Sequence, residues 1–178
     1  GKISGLVTCH HSKPAGFFDK VEEYTQSAWD EVMESNLKGT YMICKIIGEH
    51  MAETGGGSIV NLASTYSVVA PNHKIYDGIT QALKSPDSYA ASKGGIMALS
   101  NYLATYWADS NIRVNLITPH GVWNNHEEVF ENNFSELSPM KRLSYNYEVA
   151  GGLVYLLSDA ASYVTGHNLI IDGGWTTW

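Results

Sequence analysis

Four short apolar runs, each separated from the next by a stretch long enough to hold a helix, constrain this chain more than any other feature. The runs are Leu6–Cys9, Ile59–Ala63 after the Gly55-Gly56-Gly57 break, Arg113–Ile117 ahead of Pro119, and Asn168–Ile171 closed by Asp172-Gly173-Gly174. They carry apolar residues on both faces, the pattern of strands covered by helices on each side. Parallel strands need a crossover of a dozen or more residues, and the intervening segments supply it. Three of these segments have helical period. From Ser27 to Glu53 the stripe is Trp29, Val32, Met33, Leu37, Cys44 and Ile47. From Tyr89 to Asp109 it is Ile96, Leu99, Leu103 and Trp107, and from Glu148 to Ser158 it is Val149, Leu153, Leu156 and Leu157. The expectation is an α/β fold: four parallel strands in chain order with right-handed helical crossovers, residues 1–178 forming one unit. No repeat or low-complexity linker divides the chain.

Two stretches do not fit that frame. Residues 65–88 hold Pro71, Gly78 and Pro86, and residues 122–146 contain one short amphipathic segment around Val129, Phe130 and Phe134. Both leave the sheet at strand carboxyl ends, where α/β sheets bind ligands, so both are expected to wall a substrate pocket. Asn124, Asn125, Glu127 and Glu128 in the second suit a hydroxyl-rich ligand better than an acyl chain.

Composition excludes several classes of function. With 178 residues, 44% of them hydrophobic, the chain can bury a core and is not intrinsically disordered. A net charge of −7 without a basic run is a poor match to nucleic acid. No apolar stretch reaches the roughly 18 residues of a membrane helix, so no membrane partner is expected. Two cysteines, Cys9 and Cys44, make no disulfide framework, and no export signal opens the chain, which together predict a cytoplasmic setting.

Some residues sit badly in a plain core. Tyr89 and Lys93 are four apart and share a helix face with Ile96 and Leu103, so Lys93 falls on a stripe that should be buried. A lysine there either snorkels to solvent or is put to use. In the second case a neighbouring cation favours the phenolate, and the pair can move a proton to or from a substrate oxygen. Ser64, where the second strand ends, either satisfies a loop amide or hydrogen-bonds a substrate oxygen that gains charge. Asn36 interrupts the first apolar stripe, either as a buried amide or at a kink that holds water. His10, His11 and His120 follow the tips of the first and third strands. Their spacing is not a usual zinc pattern, so no metal is expected, and no GxSxG elbow supports a Ser–His hydrolase.

Asn36, Ser64, Tyr89-Ala-Ala-Ser-Lys93, Arg113-Val-Asn115 and Asp172-Gly-Gly174, in this order, resemble the short-chain dehydrogenase/reductase family over almost the whole chain. The resemblance implies an NAD- or NADP-dependent oxidoreductase on a Rossmann-type sheet, interconverting an alcohol and a carbonyl. Tyr89 would be the acid/base. Lys93 would bind the nicotinamide ribose and lower the tyrosine pKa. Ser64 would polarise the substrate oxygen, and Asn36 would hold the water of a proton relay. Thr8, Pro119, Gly121 and Val122, with Tyr89 and Lys93, would face the cofactor. The family's TGxxxGxG turn is absent, so the chain is expected to hold strands four to seven of the doubly wound fold without its N-terminal third. The family's Asn-Asn-Ala-Gly reads Thr8-Cys9-His10-His11, and its Pro-Gly reads Pro119-His120.

Ile75-Tyr76-Asp77-Gly78 and the Asp172-Gly-Gly-Trp175 ending resemble a subgroup acting on sugars, some of it in surface-glycan pathways. A polyol or amino-sugar substrate is therefore expected, with a 3-oxoacyl thioester as the competing one. A catalytically silent fragment that keeps the fold and an oligomer interface is the competing function. The family commonly pairs subunits through the helices at 27–53 and 89–109. Here these carry Tyr41, Ile46, Met97 and Tyr102 off the sheet-facing stripe, so at least a dimer is expected.

Overall fold

A computed structural model describes residues 1–79 and 84–178. Four strands, β1 (Gly5–Thr8), β2 (Gly57–Leu62), β3 (Ile112–Pro119) and β4 (Asn168–Ile171), form one sheet in the order β1-β2-β3-β4. All three pairings are parallel, with Leu6 opposite Ile59, Val60 opposite Asn115 and Ile117 opposite Leu169. The topology is the one expected from the spacing of apolar runs.

The crossovers place helices on both faces. Alternate side chains of a strand point to opposite sides, and Ile59 and Val60 show the consequence. Ile59 joins Cys44, Met51, Leu103, Trp107 and Val114 under α2 (Gly39–Glu53) and α3 (Asp87–Tyr106). Val60 joins Ile117, Val149 and Leu156 under α5 (Asn146–Leu157). The amphipathic segment in the second long stretch forms α4 (Glu128–Ser135).

The segment expected as one helix from Ser27 is three elements in line. α1 (Gln26–Val32) is followed by a π-helical stretch, Met33–Lys38, and then by α2. Ala28, Val32, Asn36, Thr40, Cys44 and Gly48 are buried, each four after the last, before Met51 follows at a step of three. A straight α-helix has 3.6 residues per turn, so a strict step of four drifts off one face. The wider π turn absorbs part of that drift, and Thr40 Oγ1 donates to the Asn36 carbonyl at 2.7 Å within it. Trp29, expected on the buried stripe, is 36% exposed, because the face follows the four-residue step through Ala28 instead.

Buried polar residues pin the layers together. Asn61, in the middle of β2, accepts from Thr8 Oγ1 at 2.7 Å and donates to Ser100 Oγ of α3 at 2.9 Å. Asn115 donates to the Val164 carbonyl at 2.8 Å and accepts from the His167 amide at 3.0 Å. These bonds leave the two amide side chains satisfied inside an apolar sheet. Gly48 permits the closest helix contact, since a Cβ there would lie 2.2 Å from Cη2 of Trp107.

Candidate active site

The carboxyl ends of β2 and β3 open into a cavity of about 650 Å³. Ser64 and Tyr89 line it together with Pro119, Gly121 and Val122, and both long stretches contribute walls. Tyr66, Tyr76, Ile79, Ser85 and Pro86 come from the first, and His126, Glu127, Phe130 and Phe134 from the second. Residues 80–83 of the first stretch lie outside the described residues.

Ser64 caps a short turn, Thr65–Ser67, and its Oγ accepts from the Tyr66 amide at 3.2 Å. The serine's own proton is therefore directed away from that amide. Its hydroxyl is near enough to the Tyr89 phenol to lower the tyrosine pKa. Burial acts the other way and is stronger, with Tyr76 adding to it, so Tyr89 stands above the usual phenol value. Lys93 is 4% exposed and donates to the Leu62 carbonyl at 2.7 Å, with Nζ 5.6 Å from the Tyr89 ring centroid. Burial lowers its pKa to about 8. The lysine thus does not snorkel. It is held at the end of β2 with two of its three protons left over from that bond.

Asn36 lies behind this group rather than on the cavity wall. Its Oδ1 accepts from the Ser12 amide at 3.0 Å and its Nδ2 donates to Ser92 Oγ at 3.1 Å, one residue before Lys93. Protein groups thus occupy both ends of its side chain. Thr8 is also away from the cavity, buried with its hydroxyl on Asn61. Of the four polar residues expected on the second wall, Glu127 lines the cavity. Asn124, Asn125 and Glu128 do not, because α4 turns its aromatic face inward instead.

The nicotinamide end of a dinucleotide fits what is present. Val122 pairs with Ser144 through Ser144 N–H to Gly121 O at 2.9 Å and Trp123 N–H to Ser144 O at 2.8 Å. In a parallel bridge of that pattern the N–H and C=O of Val122 itself point to the opposite side. An amide-bearing ring beside Pro119 would find a donor and an acceptor there. The two rings that replace small residues after β1 part ways. His10 turns out, with Nε2 at 3.0 Å from the Ser35 carbonyl, while His11 stays on the cavity edge-on to Tyr89 at 6.0 Å.

The residue types alone did not single out the aromatic floor. His120 stacks on Phe134 at 4.6 Å and meets Trp175 at 4.9 Å, and Phe130 stacks on Phe134 at 5.0 Å. Burial keeps His120 below its ordinary pKa, hence neutral at pH 7. The Phe130-x3-Phe134 spacing is the available signal, one face of α4 presented to the cavity, with His126 just ahead of the helix. Among the described residues no three metal-ligating side chains converge, and no helix is long and apolar enough to cross a membrane.

A parallel sheet with a serine, a tyrosine and a buried lysine at its carboxyl edge defines a Rossmann-like class of fold and site. The comparisons with known proteins agree. The family model described as enoyl-(acyl carrier protein) reductase matches residues 1–176. An NAD-dependent glycerol dehydrogenase of Listeria innocua is 39% identical over 174 residues, 93% of this chain and 63% of that protein. A D-threitol dehydrogenase of Mycolicibacterium smegmatis is 35% identical over 184 residues, 99% of this chain and 64% of that protein. The crystal structure of a short-chain dehydrogenase from Leptospira borgpetersenii with bound NAD+ superposes with a TM-score of 0.88 at 34% identity, covering 97% of this chain and 65% of that one. The chain belongs to the short-chain dehydrogenase/reductase family, and it spans under two-thirds of the length of these relatives.

Proposed function

We propose that this chain forms the catalytic part of an NAD- or NADP-dependent oxidoreductase that interconverts an alcohol and a carbonyl on a small polyol or sugar-like substrate. The observation that carries this reading is that the Ser64 hydroxyl and the Tyr89 phenol line one cavity at the carboxyl end of β2, with the Lys93 ammonium 5.6 Å from the Tyr89 ring centroid. The cofactor, when bound, supplies or accepts the hydride. Everything else falls to the chain's own side chains. A substrate hydroxyl between Ser64 and Tyr89 gives its proton to the Tyr89 oxygen in oxidation and regains it in reduction. The Ser64 proton, not needed by Tyr66, steadies the oxygen as its charge changes. Lys93, charged below pH 8, favours the ionised phenol and has protons left for a ribose hydroxyl. In this reading Pro119, Gly121 and Val122 border the nicotinamide. Asn36 fixes Ser92 and, through it, the turn that carries Lys93. Its carbonyl keeps one lone pair beyond Thr40 for a relay water.

Polyols are favoured over a 3-oxoacyl thioester by the row of hydroxyls at Ser64, Tyr66, Tyr76 and Tyr89. The same reading places the chain in a reducing compartment, where Cys9 and Cys44 stay as thiols, and in a homo-oligomer. Tyr41, Ile46, Tyr102 and Tyr106 stand exposed on α2 and α3, and β1 is a sheet edge with Val7 uncovered. Sedimentation should give at least a dimer.

The test is initial rates with glycerol, threitol and a 3-oxoacyl thioester, each with NAD and NADP. Turnover of a polyol that Tyr89→Phe abolishes supports the reading. Turnover of the thioester alone reverses the substrate, and cofactor binding without turnover of any of them leaves the silent alternative.

A further inference from the structure

The stretch between β2 and α3 brings two more phenols to the cavity, which proton transfer at Tyr89 does not require. Tyr66 Oη and Tyr76 Oη lie 3.4 Å apart, and both residues line the space that Ser64 and Tyr89 face. The position of Tyr76 is fixed from several sides. Ile75 is buried with Phe134 and Leu143. Asn133 Nδ2 donates to the carbonyls of Ile75 at 3.0 Å and Asp77 at 3.2 Å, and the Tyr76 ring lies against Phe130 at 6.0 Å. Burial raises the pKa of both phenols, so each remains a neutral hydroxyl that can donate and accept. Tyr76 is also near enough to Tyr89 to act on its ionisation.

We propose that Tyr76 binds the hydroxyl adjacent to the reacting carbon and so makes the site selective for a neutral vicinal diol. This rests on the reading of Ser64 and Tyr89 as the holders of the reacting oxygen. Neighbouring hydroxyls of a folded diol stand about 2.8 Å apart, the spacing of two hydrogen-bonded oxygens. A diol whose reacting hydroxyl sits at Ser64 and Tyr89 therefore carries its second hydroxyl about 2.8 Å away, into the space that Tyr76 also lines. A simple alcohol leaves Tyr76 without a ligand partner. A sugar acid gains no ion pair on this wall, where Ser64, Thr65, Tyr66, Tyr76 and Ser85 are uncharged; Lys13, the lysine that lines the cavity, comes from the segment after β1 instead.

The experiment is calorimetric or ligand-observed NMR titration of the full chain, with NAD present, using threitol, butane-1,4-diol, propan-2-ol and threonate as probes. Wild type should bind threitol about 10-fold more tightly than butane-1,4-diol and more tightly than threonate. Tyr76→Phe keeps the ring and should weaken threitol about 10-fold, the worth of one neutral hydrogen bond, while propan-2-ol is unchanged. Equal affinity of wild type for threitol and butane-1,4-diol overturns the proposal without reliance on any variant. So does an equal loss of threitol and propan-2-ol in Tyr76→Phe. Tyr89→Phe separates the two levels. If it weakens threitol and Tyr76→Phe does not, the role of Tyr76 is wrong and the proposed function stands. If threitol binding ignores both substitutions, or threitol does not bind, both readings fall.

Discussion

The sheet with its flanking helices and the two long stretches above its carboxyl edge are built by different means. The sheet is an apolar core whose layers are cross-pinned by buried amide–hydroxyl pairs: Asn61 with Thr8 and Ser100, and Asn36 with Ser92. The long stretches share a separate small cluster of Ile75, Phe134 and Leu143, edged by Tyr76, Phe130 and Leu137. Directional hydrogen bonds hold Ser64 and Lys93, and ring contacts with Phe17 and His11 hold Tyr89, whereas aromatic packing sets the shape of the space above them. Under the proposed function, chemistry and substrate choice fall to different parts of the molecule, and a change in one part should leave the other largely intact.

The sharpest way to test that separation is Tyr89→Phe. Loss of a positioned acid/base group costs about 10² to 10⁴ in rate. Stability should stay within about 0.5 kcal/mol, because the ring still packs on Phe17. A large shift in the denaturation midpoint would show that the chemistry and the packing are not separate. Phe134→Ala attacks the other region. Truncating a buried phenylalanine costs about 3–5 kcal/mol. Hydrogen exchange should then rise in α4 and around Ile75 before it rises in β2 and β3, and uniform loss of protection would mean one cooperative unit. Gly48→Ala strains the sheet side alone, where the added methyl meets Trp107. Overpacking of this kind costs about 1–3 kcal/mol, and substrate selectivity should be unmoved.

The last effect concerns pH. An unfolded lysine keeps its proton to about 10.4, whereas folded Lys93 releases its proton near 8. Between those values unfolding takes up a proton, so this residue makes stability rise with pH across that window. Lys93→Met should flatten the rise in denaturant midpoints between pH 8 and 10. An unchanged slope would place the titration elsewhere.

How legible each region was in the sequence follows from the same contrast. The strands could be read because Ile59-Val60 and Leu116-Ile117 are apolar on consecutive positions, a pattern that two-sided burial forces locally. Tyr89, Lys93 and Ser64 could be read because helical spacing and a strand end suffice to bring them together. Tyr66 and Tyr76 could not. Their meeting depends on how residues 65–79 fold against α4, a contact between distant segments that leaves no period in either. Thr8 and Asn36 misled in part for a related reason. A polar residue on a buried face looks the same in sequence whether it faces a ligand or another side chain.

The π-helical stretch has a consequence for how this protein can vary. One extra residue in a helix turns everything beyond it by about 100°. The stretch at Met33–Lys38 keeps Thr40, Cys44 and Gly48 on the same side as Ala28 and Val32 only because its wider turn accommodates that residue. Deleting Ser35 would close the stretch to an ordinary turn and leave Cys44 and Gly48 facing the sheet, whereas deleting Met42 from the regular part of α2 would swing everything beyond it round the axis and carry Cys44 and Gly48 off the sheet. Point substitutions along this helix are graded insults, but a one-codon loss outside the π stretch is a phase error. Length between Gly39 and Gly48 should therefore be held more strictly than length within Met33–Lys38.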